Sequence, residues 1–171
     1  ATTIIIIGLY SIYKISSEID ENIFQNYITQ KNLVEKTYSD YQKLQFIMMK
    51  FSMEEFAGQF QQDYKEYESI RKEIDSSLIH LSNIDNGFTE VVSEIQDFWS
   101  NYKNMVADVV LSASMTRNYM MAADIVTLDG VEIGEKLTER FELLTSRLND
   151  DAVKVREETA SLVNLTFLLS F

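Results

Sequence analysis

The chain has 171 residues, 46% hydrophobic and 25% charged, a mixture that supports one domain with its own core. A formal charge of −12 excludes the phosphate-neutralising surface that nucleic-acid binding needs and opposes docking on an anionic membrane face; the absence of cysteine excludes disulfides and thiolate metal sites. With no proline and only five glycines the chain has few places to turn, so it reads as all-α, built from a few long helices.

The first stretch, ATTIIIIGLYSIY, carries no charge before Lys14. It is shorter than the ~20 apolar residues of a membrane helix, yet it is already apolar where the sequence starts, and residues 1–14 read as the end of a first transmembrane helix. The competing reading is a buried strand, favoured by the β-branched TTIIII. A signal peptide fits less well, since no basic region precedes the run and no small-x-small pattern follows it.

Helix one runs from residue 15 to about 51 on Ile19, Ile23, Tyr27, Val34, Tyr41, Leu44, Met48 and Phe51, spaced three, four and seven apart. At FSMEEF, Ser52 is expected to cap a new helix, Glu55 to complete a capping box and Phe51 to staple onto Phe56, with Gly58 as the competing break. Helix two follows on Phe60, Tyr64, Tyr67, Ile70, Ile74, Leu78, Leu81 and Ile84, and NIDNGF ends it. Helix three is expected to continue on Phe88, Val92, Ile95, Trp99, Tyr102, Val106, Val109, Ala113, Thr116, Met120 and Ala123 until TLDG breaks it. Asp129 and Glu132 offer the next capping pair. Helix four uses Ile133, Leu137, Phe141, Leu144, Leu148, Val155 and Leu162 and enters SLVNLTFLLSF, where residues 161–171 read as the start of a second transmembrane helix. Two spans place residues 15–160 on one side of a membrane, which an antiparallel up-down-up-down four-helix bundle with long first and fourth helices satisfies.

No bond-making chemistry is expected. The sole histidine, His80, has Ser77 where a di-iron bundle needs the glutamate of Glu-x-x-His, and no Gly-rich phosphate loop exists. An EF-hand loop centred on Asp129-Gly130 would begin at Ile125 and end at Lys136, neither of which supplies the required carboxylate. Asn164-Leu165-Thr166 is a glycosylation sequon by its letters but lies in the apolar run. The acidic groups at Glu18–Glu21, Glu54-Glu55 and Asp150-Asp151 read as solvated faces and helix ends, so neither cofactor nor metal is expected.

An apolar run flowing into a first long helix (ISSEIDENIF from Ile15), two inner helices, and a fourth helix flowing into a second apolar run resembles the four-helix-bundle sensor domain of bacterial methyl-accepting chemotaxis receptors. The resemblance spans essentially the whole chain and rests on topology and lengths; sensor histidine kinases carry similar bundles. It implies an inner-membrane receptor whose bundle is periplasmic or extracellular, homodimerises through helix one and takes a ligand in the membrane-distal half. Aspartate-sensing receptors grip their ligand with arginines of the first helix; here that helix holds only Lys14, Lys31, Lys36, Lys43 and Lys50. The heptad Tyr27, Val34, Tyr41, Met48 offers a weak dimer seam interrupted by Gln30 and Thr37.

Counting ~1.5 Å per residue, Thr116 lies roughly 15 Å below the distal tip near Val126, level with Tyr41 to Gln45, Tyr64 to Tyr67 and Arg140. The candidate ligand site is therefore Tyr41, Gln45, Tyr64, Tyr67, Ser112, Thr116, Arg117, Met120 and Arg140. Small side chains leave room, tyrosines and methionine wall it, and the arginines suit the carboxylate of an organic acid. The alternative is that Ala113 and Thr116 permit close helix packing and the arginines pair with Asp124, Glu132 or Glu139. Functionally, a small-molecule ligand or a ligand-loaded binding protein shifts helix four or the dimer interface, whereas a membrane-tethered interaction scaffold would be tightly packed and expose an apolar patch.

Overall fold

The computed structural model describes residues 2–84 and 87–168, with side chains described at residue 14, at residues 25–84 and 87–158, and at residues 160 and 161. All regular structure among these residues is helical: α1 (Thr2–Phe51), a 3₁₀ segment (Glu54–Gln59), α2 (Phe60–Ser82), α3 (Thr89–Asn101), a π-helical stretch (Tyr102–Ala107), α4 (Asp108–Met115), α5 (Tyr119–Thr127) and α6 (Asp129–Leu168). Between Gly8 and Gly58 the sequence holds neither glycine nor proline, so nothing local interrupts α1.

The chain divides into two compact units, Leu33–Thr145 and Ala1–Asn32 with Ser146–Phe171, and α1 and α6 contribute to both. In the first of these, Val34, Tyr41, Leu44 and Met48 of α1, Tyr67, Ile74 and Leu81 of α2, Val92, Ile95 and Trp99 of α3, and Leu137, Phe141 and Leu144 of α6 are buried. Their three- and four-residue spacing is the stripe the sequence carries. Polar ties reinforce it: Lys36 bridges Asp40 and Glu73, Asp75 accepts from both Trp99 Nε1 and Lys103 Nζ at 2.7 Å, and Arg71 pairs with Asp108 at 3.2 Å. The second unit buries Gln30 and Leu148 and leaves Val153 and Arg156 exposed.

Two local expectations are corrected and a third holds. Ser52 does not open the second helix: its hydroxyl donates to the Met49 carbonyl at 2.7 Å and its N–H to Met48, so it closes α1, and Met53 precedes the 3₁₀ segment without a side-chain cap. Because that tighter helix spaces residues differently, the ring that packs on Phe51 is Phe60, at 4.9 Å, while Phe56 lies over the Lys50 ammonium. Gly87, at φ +72°, does sit in the left-handed region that the predicted turn before Phe88 calls for; Asp85 and Asn86 lie outside the described residues.

Helix three is not one run. A π turn holds one more residue per turn than an α turn and rotates everything beyond it, so Val106 and Ala107 are both buried and the stripe continues on Val110, Leu111, Ala113 and Ser114 in place of Val109 and Thr116. The helix then stops. Thr116 caps α4, Arg117 adopts φ +56°, and Asn118 begins α5 by accepting from the Met121 N–H through its side chain. Thr116 and Met120 are consequently exposed, Met120 to 78%.

The predicted dimer seam also changes. Val34, Tyr41 and Met48 are fully buried within the single chain, with Gln30 and Thr37 buried beside them, so this heptad faces inward. Among the described residues no helix is long and apolar enough to cross a membrane. At the level of side chains, the apolar runs 1–14 and 161–171 lie outside the described residues except at Lys14 and Ser161.

Candidate functional site

Tyr41 is the centre of the interior. Its ring meets Tyr102 edge-on at 5.3 Å and Trp99 at 6.4 Å and stacks on Phe141 at 6.4 Å, an arrangement that suits aromatic quadrupoles. One turn along α1, Gln45 Nε2 donates to the Tyr41 hydroxyl at 2.7 Å. Burial pushes the Tyr41 and Tyr102 hydroxyls above the ordinary tyrosine range and Tyr67 up to about 12, the last offset in part by Arg71, whose Nη1 donates to Tyr67 Oη at 2.9 Å.

The Tyr41–Gln45 pair reaches the backbone of α6 because residue 134 is glycine. A Cβ there would come 2.7 Å from Gln45 Nε2 and 2.9 Å from Tyr41 Oη. Beside this approach opens a cleft of about 340 Å³ lined by Gln45, Val131, Gly134, Glu135, Thr138 and Glu139. An amide, a hydroxyl and two carboxylates line it, with no cationic side chain, so it suits an ammonium or a neutral polar group better than a carboxylate.

The nine predicted residues do not share one lining. Tyr41 and Tyr67 belong to the core, Gln45 to the cleft, and Tyr64 stacks on Phe60 at 6.1 Å. Ser112, Thr116, Arg117 and Met120 are exposed around the α4–α5 turn, where the Thr116 hydroxyl donates to the Ser112 and Ala113 carbonyls. Arg140 is engaged: its Nε lies 2.6 Å from Glu94 Oε2, an ion pair without the direction of a hydrogen bond, and this partner is on α3 rather than among Asp124, Glu132 and Glu139. Among the described residues no group of three His, Cys, Asp or Glu side chains could hold a metal ion. No family model, curated protein or solved structure matches the chain.

Several features had no reading from sequence. In the unit formed by Ala1–Asn32 and Ser146–Phe171, a cleft of about 410 Å³ is lined by Tyr27, Ile28 and Lys31 of α1 and by Leu148, Asn149, Ala152, Val153 and Arg156 of α6. It joins two cationic side chains to an apolar floor, the chemistry first expected of Arg117 and Arg140. Near the end of α1, Lys50 donates to Asp63 Oδ1 of α2, with the Phe46 and Phe56 rings 5.9 and 5.8 Å from its ammonium. Of the seven methionines only Met48 is buried. For Met49, Met53, Met115, Met120 and Met121 adjacency to helix ends was the available signal, since a side chain there has fewer helix neighbours to cover it.

Proposed function

We propose that the chain is the sensor bundle of a transmembrane receptor, akin to the ligand-binding domain of methyl-accepting chemotaxis receptors. Residues 15–160 form an extracytoplasmic up-down-up-down bundle, and residues 1–14 and 161–171 are portions of membrane spans. Antiparallel neighbours are supported by the pairing of side chains. Lys36 meets Glu73 while Lys50 meets Asp63, and Arg71 meets Asp108 while Asp75 meets Lys103, so numbers rise on one helix as they fall on the next.

The observation that carries the reading is the continuity of α6. One helix, Asp129–Leu168, supplies Val131 to Glu139 of one cleft, Leu148 to Arg156 of the other, and most of the second apolar run. A ligand that displaces α6 at either cleft acts on the same rod that enters the membrane, which is how a binding event without chemistry becomes a signal. A sensor histidine kinase uses the same device, and the output domain would separate the two.

Two experiments test this. Glu54→Cys and Met120→Cys, in a sequence with no other cysteine, should be labelled by a membrane-impermeant maleimide on intact bacterial spheroplasts; labelling that appears only after lysis would overturn the membrane topology. A thermal-shift screen against organic acids, aromatic acids, amino acids and amines should find a ligand that raises the melting temperature. Acids acting through the Arg156 cleft should lose their effect in Arg156→Ala, and amines acting through the Gln45 cleft in Glu135→Gln. A screen in which no compound moves the transition would sink the small-molecule reading.

A further inference from the structure

The exposed large hydrophobic side chains are concentrated. All of those found among the described residues, apart from Ile79 and Val153, fall in residues 46–53 and 105–131. These segments lie toward one end of the unit Leu33–Thr145. Gly134 abuts Gln45, one turn before Met49; Gly130, a turn earlier on α6, abuts Val106 and the Ile125 carbonyl; and the α4–α5 turn carries Met115, Met120 and Met121. At ~1.5 Å per residue, these side chains stand within two or three helical turns of the Gly130 level. A soluble surface gains nothing from placing flexible thioethers in water, and methionine is the side chain best suited to repacking against a partner's apolar face.

Charge selects the partner. From residue 104 to 135 the sequence has one basic residue, Arg117, against Asp108, Asp124, Asp129, Glu132 and Glu135; from 51 to 64 it has none against Glu54, Glu55 and Asp63. Asp108, Asp63 and Glu132 are matched by Arg71, Lys50 and Lys136, which leaves Glu54, Glu55, Asp124 and Asp129 as an acidic excess in the segments that carry the methionines. A second copy of a chain with charge −12 is repelled by that excess, and an anionic bilayer is repelled likewise. We infer that the methionine-bearing end of the bundle, built on Met49, Met53, Met115, Met120, Met121 and Leu128, docks a basic amphipathic helical segment of another protein. Its leucine-like face packs on the thioethers and its lysines and arginines meet Glu54, Glu55, Asp124 and Asp129. The inference stands whether or not the ends of the chain span a membrane and whichever cleft takes a small molecule.

The test uses the 171-residue chain with isotope-labelled methionine methyls and two synthetic helical peptides, one of lysine and leucine in amphipathic order and one with glutamate for lysine. The basic peptide should move the resonances of Met53, Met115, Met120 and Met121, leave Met48 unmoved, and bind more weakly as salt rises; the acidic peptide should not bind. The combined Met115→Gln, Met120→Gln, Met121→Gln variant, whose changes are all at exposed positions, should keep its helicity and melting temperature and bind at least tenfold more weakly. Ile79→Gln with Val153→Gln should bind as the parent does. Equal affinity in the methionine variant would overturn the inference. So would methyl shifts on raising protein concentration alone, which assign the face to a second copy, or shifts produced by phosphatidylglycerol vesicles and not by the peptide, which assign it to lipid.

Discussion

The hydroxyl of Tyr41 occupies the space where a side chain on residue 134 would begin: a Cβ on Gly134 would lie 2.9 Å from it. Gly134 is inside α6, where glycine costs ~1 kcal/mol relative to alanine, so its presence is explained by the approach of Tyr41 and Gln45 rather than by helix formation. Gly134→Ala should therefore destabilise the chain by about 1–2 kcal/mol, the cost of overpacking exceeding the gain in helix propensity. In a Tyr41→Phe background only the end of the flexible Gln45 side chain stands in the way, and the same substitution should turn neutral or stabilising. Urea unfolding of the four proteins decides it; an identical cost in both backgrounds would show that the hydroxyl is not the obstacle.

Alkaline pH should weaken the fold through its buried tyrosines. An unfolded tyrosine ionises near ~10, whereas burial holds Tyr67 up to about 12 and raises Tyr41 and Tyr102 in the same direction. A folded pKa above the unfolded one contributes stability that is whole below the unfolded value and is lost as pH rises through the folded one. Stability should thus be flat up to about pH 10 and fall toward pH 12, and these tyrosines should ionise only as helicity is lost. Parallel titrations of tyrosinate absorbance and circular dichroism check this. Tyr67→Phe should shallow the fall.

Much of this was legible in the sequence, and the failures have physical causes. The stripes of α1, α2 and α6 could be read because an uninterrupted α-helix has a fixed period, so Tyr41, Leu44 and Met48, or Leu137, Phe141 and Leu144, announce a buried face. The stripe of helix three failed after Val106, since of its later members only Ala113 is buried. A π turn and a break without glycine or proline leave no local signature except Asn118, whose capping role reads as an ordinary polar residue. Tyr41 and Gln45 are neighbours on one helix face and do hydrogen-bond, a contact their spacing makes legible, whereas the part played by Gly134 depends on a helix nearly ninety residues away along the chain. Periodicity also cannot tell a stripe that faces a neighbouring helix from one that faces a second chain, which is how the Val34, Tyr41 and Met48 heptad came to be read as a dimer seam.

Lys50 and Asp63 form the tie between α1 and α2 with the least exposure to water, their side chains 15% and 4% exposed, and Asp63 Oδ2 has no partner. Removing the cation alone leaves a buried carboxylate uncompensated, so Lys50→Ala should cost about 3 kcal/mol. Replacing both by apolar residues, Lys50→Met with Asp63→Leu, should recover most of that loss. A double variant as unstable as Lys50→Ala would mean that the charge pair, with the Phe46 and Phe56 rings beside its ammonium, stabilises the fold more than apolar packing can.

Arg117 is the one non-glycine residue at positive φ among the described residues, and the hydrogen bonds around it identify why. Its N–H donates to the Ser114 carbonyl at 2.9 Å and the Asn118 N–H donates to Ala113 at 2.8 Å, the pair of bonds that ends a helix on a left-handed residue. Glycine fills that position in most such endings because a Cβ there costs ~1 kcal/mol. Arg117→Gly should accordingly stabilise the chain by about 0.5–1 kcal/mol, while Arg117→Ala, which keeps the Cβ, should leave stability unchanged. Both remove the same guanidinium, so any difference between them in chemical denaturation reports the backbone, and any function they lose equally reports the side chain. If the two variants are equally stable, the left-handed conformation carries no cost here, and the arginine needs no compensating role at the methionine-bearing end.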